Sequence, residues 1–190
     1  MQSGYIENKS FKNQDFTENM LRIGEYERCV FTGCTFSNQD LSEMIFSDCL
    51  FESCDLSTAK LKETALKDVQ FKNSKLSGLH FGDCKKFLLS FNFDNCILDY
   101  ASFYKLKIKN TIFKDCRFEQ SEFIESDLTN TVFDNCDLHR AKFVNTILEN
   151  SDFRSAFNFS IDPELNKIRK AKFSLENCIG LLSKYNIIVE

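Results

Sequence analysis

Large apolar residues recur at every fifth position along most of the chain. The series runs Ile6, Phe11, Phe16, Leu21, Tyr26, Phe31, Phe36, Leu41, Phe46, Phe51, Leu56, Leu61, Leu66, Phe71, Leu76 and Phe81. It then slips by two residues and resumes as Leu88, Phe93, Leu98, Phe103, Ile108, Phe113, Phe118, Phe123, Leu128, Phe133, Leu138, Phe143, Leu148 and Phe153. A step of five matches neither the 3.6-residue period of a helix nor the two-residue period of a strand. It predicts a short extended segment followed by a corner, repeated, with one large side chain per segment turned inward. The residue two before each large one also faces in and, beside a bulky neighbour, must be small. From Cys96 through Ala101, Leu106, Thr111 and Cys116 to Ser151, eleven of these twelve positions are Cys, Ala, Ser or Thr. The other three places in each five are mostly Asp, Glu, Asn, Lys and Ser, as solvent-facing positions should be.

Identity repeats on a longer step. Phe11, Phe31, Phe51 and Phe71 are one set, and Phe93, Phe113, Phe133 and Phe153 another; the string Phe-Asp-Asn-Cys at 93–96 returns at 133–136. Twenty residues therefore make one coil of four pentapeptides, with like residues stacked between coils. Aromatic rings stacked at parallel-strand spacing fill the axis without voids. The expected fold is an all-β solenoid of about eight coils at ~4.8 Å each, roughly 40 Å long.

Two departures interrupt the pattern. The step from Phe81 to Phe93 is twelve residues rather than ten, across the segment 82–92. Two extra residues at one corner should bulge outward near Lys85, Lys86 and Phe87. The bulge reads either as a tolerated insertion or as a partner-contacting loop with Phe87 or Phe91 exposed. After Phe153 the pattern blurs over 154–167 and returns at Ile168 and Phe173. Ser174 then reads as the N-cap of an α-helix through about Tyr185, bearing Leu175, Cys178, Ile179, Leu182 and Tyr185 on one face and ended by Asn186. Ile187-Ile188-Val189 reads as a strand. Open solenoid ends need covering, and this segment exceeds what a cap requires. The division is thus a β-helix over 1–173 and a cap and dimerisation segment over 174–190, with Leu181, Leu182, Tyr185, Ile187, Ile188 and Val189 as expected dimer contacts.

Composition adds constraints. A chain of 190 residues suits one domain. A formal charge of −4 does not suggest nucleic-acid or membrane-surface binding by the whole molecule. The opening MQSGYIENKS lacks the apolar run of a signal peptide, and no stretch approaches a membrane span, so a cytoplasmic protein with reduced thiols is expected. Eight of the nine cysteines (all but Cys178) hold the small inward position, so zinc chemistry, which needs converging thiolates, is not expected. Cys29/Cys49, Cys34/Cys54 and Cys96/Cys116/Cys136 stack at ~4.8 Å, within disulfide range, but a cytosolic setting argues for free thiols. His80 and His139 are outward and far apart in sequence, no thiol has a His partner, and no phosphate loop exists. No catalytic residue, metal site or cofactor is expected.

Segments such as CDLST (54–58), SDLTN (126–130), CDLHR (136–140) and SDFRS (151–155) resemble the A(D/N)LXX consensus of the pentapeptide-repeat proteins. The resemblance covers residues 6–173 and implies a right-handed quadrilateral parallel β-helix. The ending AKFSLENCIGLLSKYNIIVE looks like the C-terminal dimer module of the quinolone-resistance members. Those proteins bind DNA gyrase and topoisomerase IV, with an acidic rod imitating duplex DNA. For this chain that implies a protein partner, no direct nucleic-acid binding, no membrane, and a homodimer through the C-terminus. Residues 13–59 carry nine acids against Arg22 and Arg28, and residues 115–137 carry seven against Arg117. Asp115, Glu119, Glu122, Glu125, Asp127, Asp134 and Asp137 are the expected partner-binding acids. A lysine band from Lys60 to Lys75 and from Lys105 to Lys114 lies between the two acidic stretches, and the bulge is shorter than the loops of that group. The alternative is a rigid interaction scaffold for another partner. It would make contact through outward apolar residues: Tyr100, Tyr104, Ile112, Ile124, Val132, Val144 and Ile147.

Overall fold

The structure is a computed structural model that describes residues 4–185, 187 and 188. Short strands follow one another along the chain: β1 (Gly4–Glu7), β2 (Ser10–Lys12), β3 (Gly24–Glu27), β4 (Val30–Thr32), β5 (Ile45–Ser47), β6 (Leu50–Glu52), β7 (Ala65–Lys67), β8 (Val69–Lys72), β9 (Phe91–Asp94), β10 (Ile112–Lys114) and β11 (Val132–Asp134). All pair in parallel, in two sheets ordered β1-β3-β5-β7 and β2-β4-β6-β8-β9-β10-β11. The register is one coil of twenty residues: Phe11 faces Phe31, Phe31 faces Phe51, and Phe113 faces Phe133. Single parallel bridges such as Thr35 to Asp55 and Ser102 to Glu122 mark the other two walls. The fold is an all-β parallel solenoid of about seven turns, one for each rung of the longer sheet.

The axis is a column of rings. Phe103, Phe123 and Phe143 stack with centroids 4.9 and 5.0 Å apart, and Phe93, Phe113 and Phe133 at 5.2 and 5.1 Å. Rings on adjacent walls meet edge to face, as between Phe113 and Phe118 at 5.1 Å, the arrangement favoured by the ring quadrupole. The small inward position has a second requirement that its size alone does not reveal. Its side chain donates a hydrogen bond to a main-chain carbonyl of the preceding coil: Cys54 Sγ to Phe31 O (3.3 Å), Ser121 Oγ to Leu98 O (2.6 Å), Thr146 Oγ1 to Phe123 O (2.7 Å) and Ser151 Oγ to Leu128 O (2.7 Å). Cys, Ser and Thr satisfy both requirements, while Ala satisfies only the first.

The corners explain the frequent Asn. The residue two after most inward large ones turns the chain in the left-handed region, as at Asn73 (φ 49°), Asn95 (φ 52°), Asn110 (φ 60°), Asn130 (φ 60°) and Gly78 (φ 70°). Only Gly, and to a lesser degree Asn and Asp, enter this region at low cost. Stacked corner amides then bond one another, as Asn95 Nδ2 donates to Asn73 Oδ1 at 2.8 Å. Thr58 occupies such a corner (φ 56°) with a β-branched side chain. Thr58→Asn relieves that strain and retains a bond to Asn38, which Thr58 Oγ1 now reaches at 2.7 Å. The substitution is expected to raise stability by about 0.5–1 kcal/mol, read as a higher denaturant midpoint at unchanged slope.

The slip resolves differently from the sequence expectation. Leu88 does not resume the inward series: it is 59% exposed, beside Phe87 at 80%, while Phe91 is 3% exposed. Phe91 fills the vacated inward place, with its ring 5.4 Å from Phe81 and 5.0 Å from Phe93. The two extra residues displace an entire wall, 85–90, rather than one corner. The shorter sheet therefore ends at β7, whereas the longer one continues from β8 to β9.

The C-terminal segment also differs. No α-helix forms over 174–185; the chain makes two 3-10 turns, Cys178–Leu181 and Ser183–Tyr185. Ser174 does cap one turn, its Oγ accepting from Asn177 N at 3.2 Å, and Cys178 N bonds Ser174 O. Gly180 then lies so close to the last coil that a Cβ would sit 2.4 Å from Phe159 O. Asn177 Nδ2 donates to Ala156 O at 2.8 Å. These tertiary contacts override the amphipathic pattern. Ile187 and Ile188 lie in no strand; Asn186 and Val189 fall outside the described residues.

Candidate protein-binding surface

The thiols are built for packing. All nine cysteines are free and eight are buried. Burial pushes the thiols of Cys49, Cys54 and Cys84 up to about 12, which suppresses the reactive thiolate. Among the described residues, no three His, Cys, Asp or Glu side chains gather as metal ligands.

Surface charge follows the coil register. Asp55 bridges Lys75, Lys107 bridges Asp127, Glu122 bridges Lys142 and Asp152 bridges Lys172, and Lys114 lies between Asp94 and Asp134. Opposite charges thus alternate from coil to coil. The seven acids of 115–137 wind around one coil instead of forming one patch. Glu122 pairs with Lys142 at 2.9 Å, Glu125 with Lys105 at 3.4 Å, Asp127 with Lys109 at 3.1 Å and Asp115 with Lys114 at 3.8 Å. Against the cost of its partial burial, Asp127 is held below the usual carboxylate range by Thr129 and Lys109. Asp134 accepts from Ser155 at 3.0 Å and Asp137 from Asn158 at 2.9 Å, while Glu119 N donates to Asp99 Oδ1 at 3.1 Å.

An uninterrupted carboxylate row lies elsewhere. Glu43 and Glu63 hold equivalent left-handed corners of successive coils (φ 64° and 57°). Asp83, at the end of a 3-10 turn, continues the column one coil on, its O accepting from Glu63 N at 2.9 Å. Across the same wall, Asp48 and Asp68 form a parallel pair of corners. No ion pair compensates Glu43, Glu63 or Asp83 among the described residues. Reading charge as linear stretches missed this row; writing the sequence in rows of twenty exposes it.

The outward apolar residues divide. Tyr104, Ile124 and Val144 stand one coil apart on one wall, with Tyr104 42% exposed; Ile112 and Val132 pair on another. Tyr100 occupies a left-handed corner (φ 59°), and Ile147 bridges Asp127 and Lys167. At the C-terminal end, Leu182, Tyr185, Ile187 and Ile188 are exposed, whereas Leu181 packs against the chain's own core. A groove of about 610 Å³ opens there, lined in part by Phe157, Phe159, Ile179, Leu182 and Ile187. Lys184 ties the end down to Asp162 (2.8 Å) and Glu164 (2.7 Å).

Stacked pentapeptide coils with side-chain rows on flat walls define a repeat solenoid that presents surface rather than a cleft. A family model described as a pentapeptide repeat region matches residues 25–92 and 86–157, and the chain belongs to the pentapeptide-repeat family. Among solved structures it is similar to full-length QnrB1, a plasmid-mediated fluoroquinolone resistance protein. That match has 15% identity and a TM-score of 0.62, covering 97% of this chain and 100% of the other. A trypsin-treated variant of QnrB1 matches at 20% identity and a TM-score of 0.60, covering 98% of this chain and 92% of the other. A search of curated proteins by sequence finds no significant match. No helix among the described residues is long and apolar enough to cross a membrane.

Proposed function

We propose that this chain is a non-enzymatic, right-handed quadrilateral rod that binds a type II topoisomerase, DNA gyrase or topoisomerase IV. It occupies the path of duplex DNA and protects the enzyme from fluoroquinolones, acting in the cytoplasm as a homodimer. The observation carrying this reading is the carboxylate row Glu43, Glu63 and Asp83 with Asp48 and Asp68 opposite. It supplies one uncompensated acid per coil, about 4.8 Å apart, on a wall where like charges repel unless a basic partner meets them. A basic DNA-binding saddle is such a partner. End-to-end likeness to the fluoroquinolone resistance protein QnrB1 supports the same reading. The acids of 115–137 form a second contact, weaker because lysines neutralise several of them. Exposed Leu182, Tyr185, Ile187 and Ile188 supply the dimer contact.

The test is gyrase supercoiling over a ciprofloxacin series with and without the protein, alongside sedimentation of the same sample. The protein should raise the ciprofloxacin concentration needed for inhibition, and the shift should shrink with salt and with Glu43→Lys/Glu63→Lys more than with reversals at 115–137. No shift at any protein concentration overturns the topoisomerase reading, and a monomer at micromolar concentration overturns the dimer. The column Tyr104, Ile124 and Val144 favours a second reading, a scaffold for a different protein partner held by apolar contact.

A further inference from the structure

The wall displaced by the slip leaves an unfinished edge inside the rod. At the equivalent place one coil later, Asp127 N donates to Leu106 O (2.8 Å) and Asp127 O accepts from Ile108 N (3.0 Å). Lys107 has neither bond: among the described residues its N–H and its C=O take no backbone partner. The displaced segment is fastened at its ends to the preceding coil, by Lys85 N to Thr64 O (2.9 Å) and Ser90 N to Leu66 O (3.0 Å). Ser90 Oγ also donates to Asp68 Oδ1 at 2.8 Å. Between these fastenings Phe87 and Leu88 point to solvent. Lys67, Lys85, Lys86 and Lys107 surround this gap and make no ion pair among the described residues. Lys107 does face Asp127 of the next coil, whereas Lys67 faces Ser47.

We propose that this interrupted wall docks an acidic, extended segment of a partner protein as an added β-strand. An open strand edge supplies the main-chain bonds. The four lysines select alternating acidic side chains over basic ones, and Phe87 with Leu88 gives an apolar anchor beside them. Glu63 and Asp83 stand on the neighbouring corner and repel acids there, so acidic side chains are accepted only along the lysine-bearing wall itself. The inference is independent of the topoisomerase reading, because it concerns a basic wall and an acidic strand.

The experiment uses the full chain and a fluorescent ten-residue peptide of alternating Glu and Val. Its Lys-Val counterpart and vesicles of phosphatidylserine and phosphatidylcholine serve as rival probes. Saturable binding of the Glu-Val peptide is expected, with weak binding of the other two. Deleting Phe87 and Leu88 restores the twenty-residue step and closes the ladder. It should weaken the peptide by at least about tenfold while leaving the unfolding midpoint undiminished. Lys85→Glu/Lys86→Glu should weaken it similarly with the fold untouched, and serves if the deletion disturbs folding. Absence of Glu-Val binding, equal binding of the two peptides, preference for vesicles, or full binding by a folded deletion or reversal variant each overturns the proposal.

Discussion

Phe123→Ala is expected to lower the unfolding free energy by about 3–5 kcal/mol, the largest single effect available in this rod. Phe123 is fully buried. It stacks on Phe103 and Phe143 and meets Phe133 edge to face at 5.7 Å and an interplanar angle of 89°. Truncation removes the transferred area and leaves a cavity with no neighbour free to fill it, because each adjoining ring is held by its own stack. Ring pairs add about 0.5–1.5 kcal/mol each beyond area. Phe123→Leu should cost far less, about 1–1.5 kcal/mol, since Leu21, Leu41 and Leu61 fill the same column in earlier coils. Urea titration of the two variants decides the matter. Equal costs would show that ring stacking does not govern the axis. In a solenoid each coil touches only its neighbours, so the Ala variant should also broaden the transition as the two halves lose their coupling.

Gly180→Ala tests the cap by its sign. Within a solvent-facing α-helix the change would stabilise by about 1 kcal/mol, the helix-propensity gain of Ala over Gly. In the observed cap the new Cβ would lie 2.4 Å from Phe159 O and 2.5 Å from two atoms of its ring. The carbonyl belongs to the main chain of the last coil, so a rotamer change cannot relieve the contact. The turn must withdraw, stretching the bond from Ile161 N to Gly180 O (3.1 Å) and that from Asn177 Nδ2 to Ala156 O. A loss of about 1–3 kcal/mol is expected, with faster amide exchange at Ile161. A gain in stability would restore the helical reading of this segment.

The chain's one-dimensional period carried most of the fold. Phe113 facing Phe133, and Cys136 two before Leu138 as a small inward residue, follow from counting in fives and twenties, and the structure has both. The seven acids from Asp115 to Asp137 show the limit of a linear reading. Adjacent in sequence, they are carried around a whole coil, and Glu122 and Glu125 find their charge partners, Lys142 and Lys105, on neighbouring coils. Glu43, Glu63 and Asp83 look unremarkable in sequence and become a row only when coils are stacked.

The sequence by itself determined which residues enter the axis and how many make a coil, because inward burial repeats with the backbone and each pentapeptide decides it locally. The tertiary structure decided three things. Phe91 rather than Leu88 fills the slip, because the displaced wall leaves a ring-sized space beside Phe81 and Phe93. The segment after Ser174 folds as 3-10 turns, because Gly180 is drawn against Phe159 more strongly than an isolated turn favours helix. The carboxylates of different coils meet or alternate according to register, because electrostatic neighbours depend on distance across coils and not along the chain.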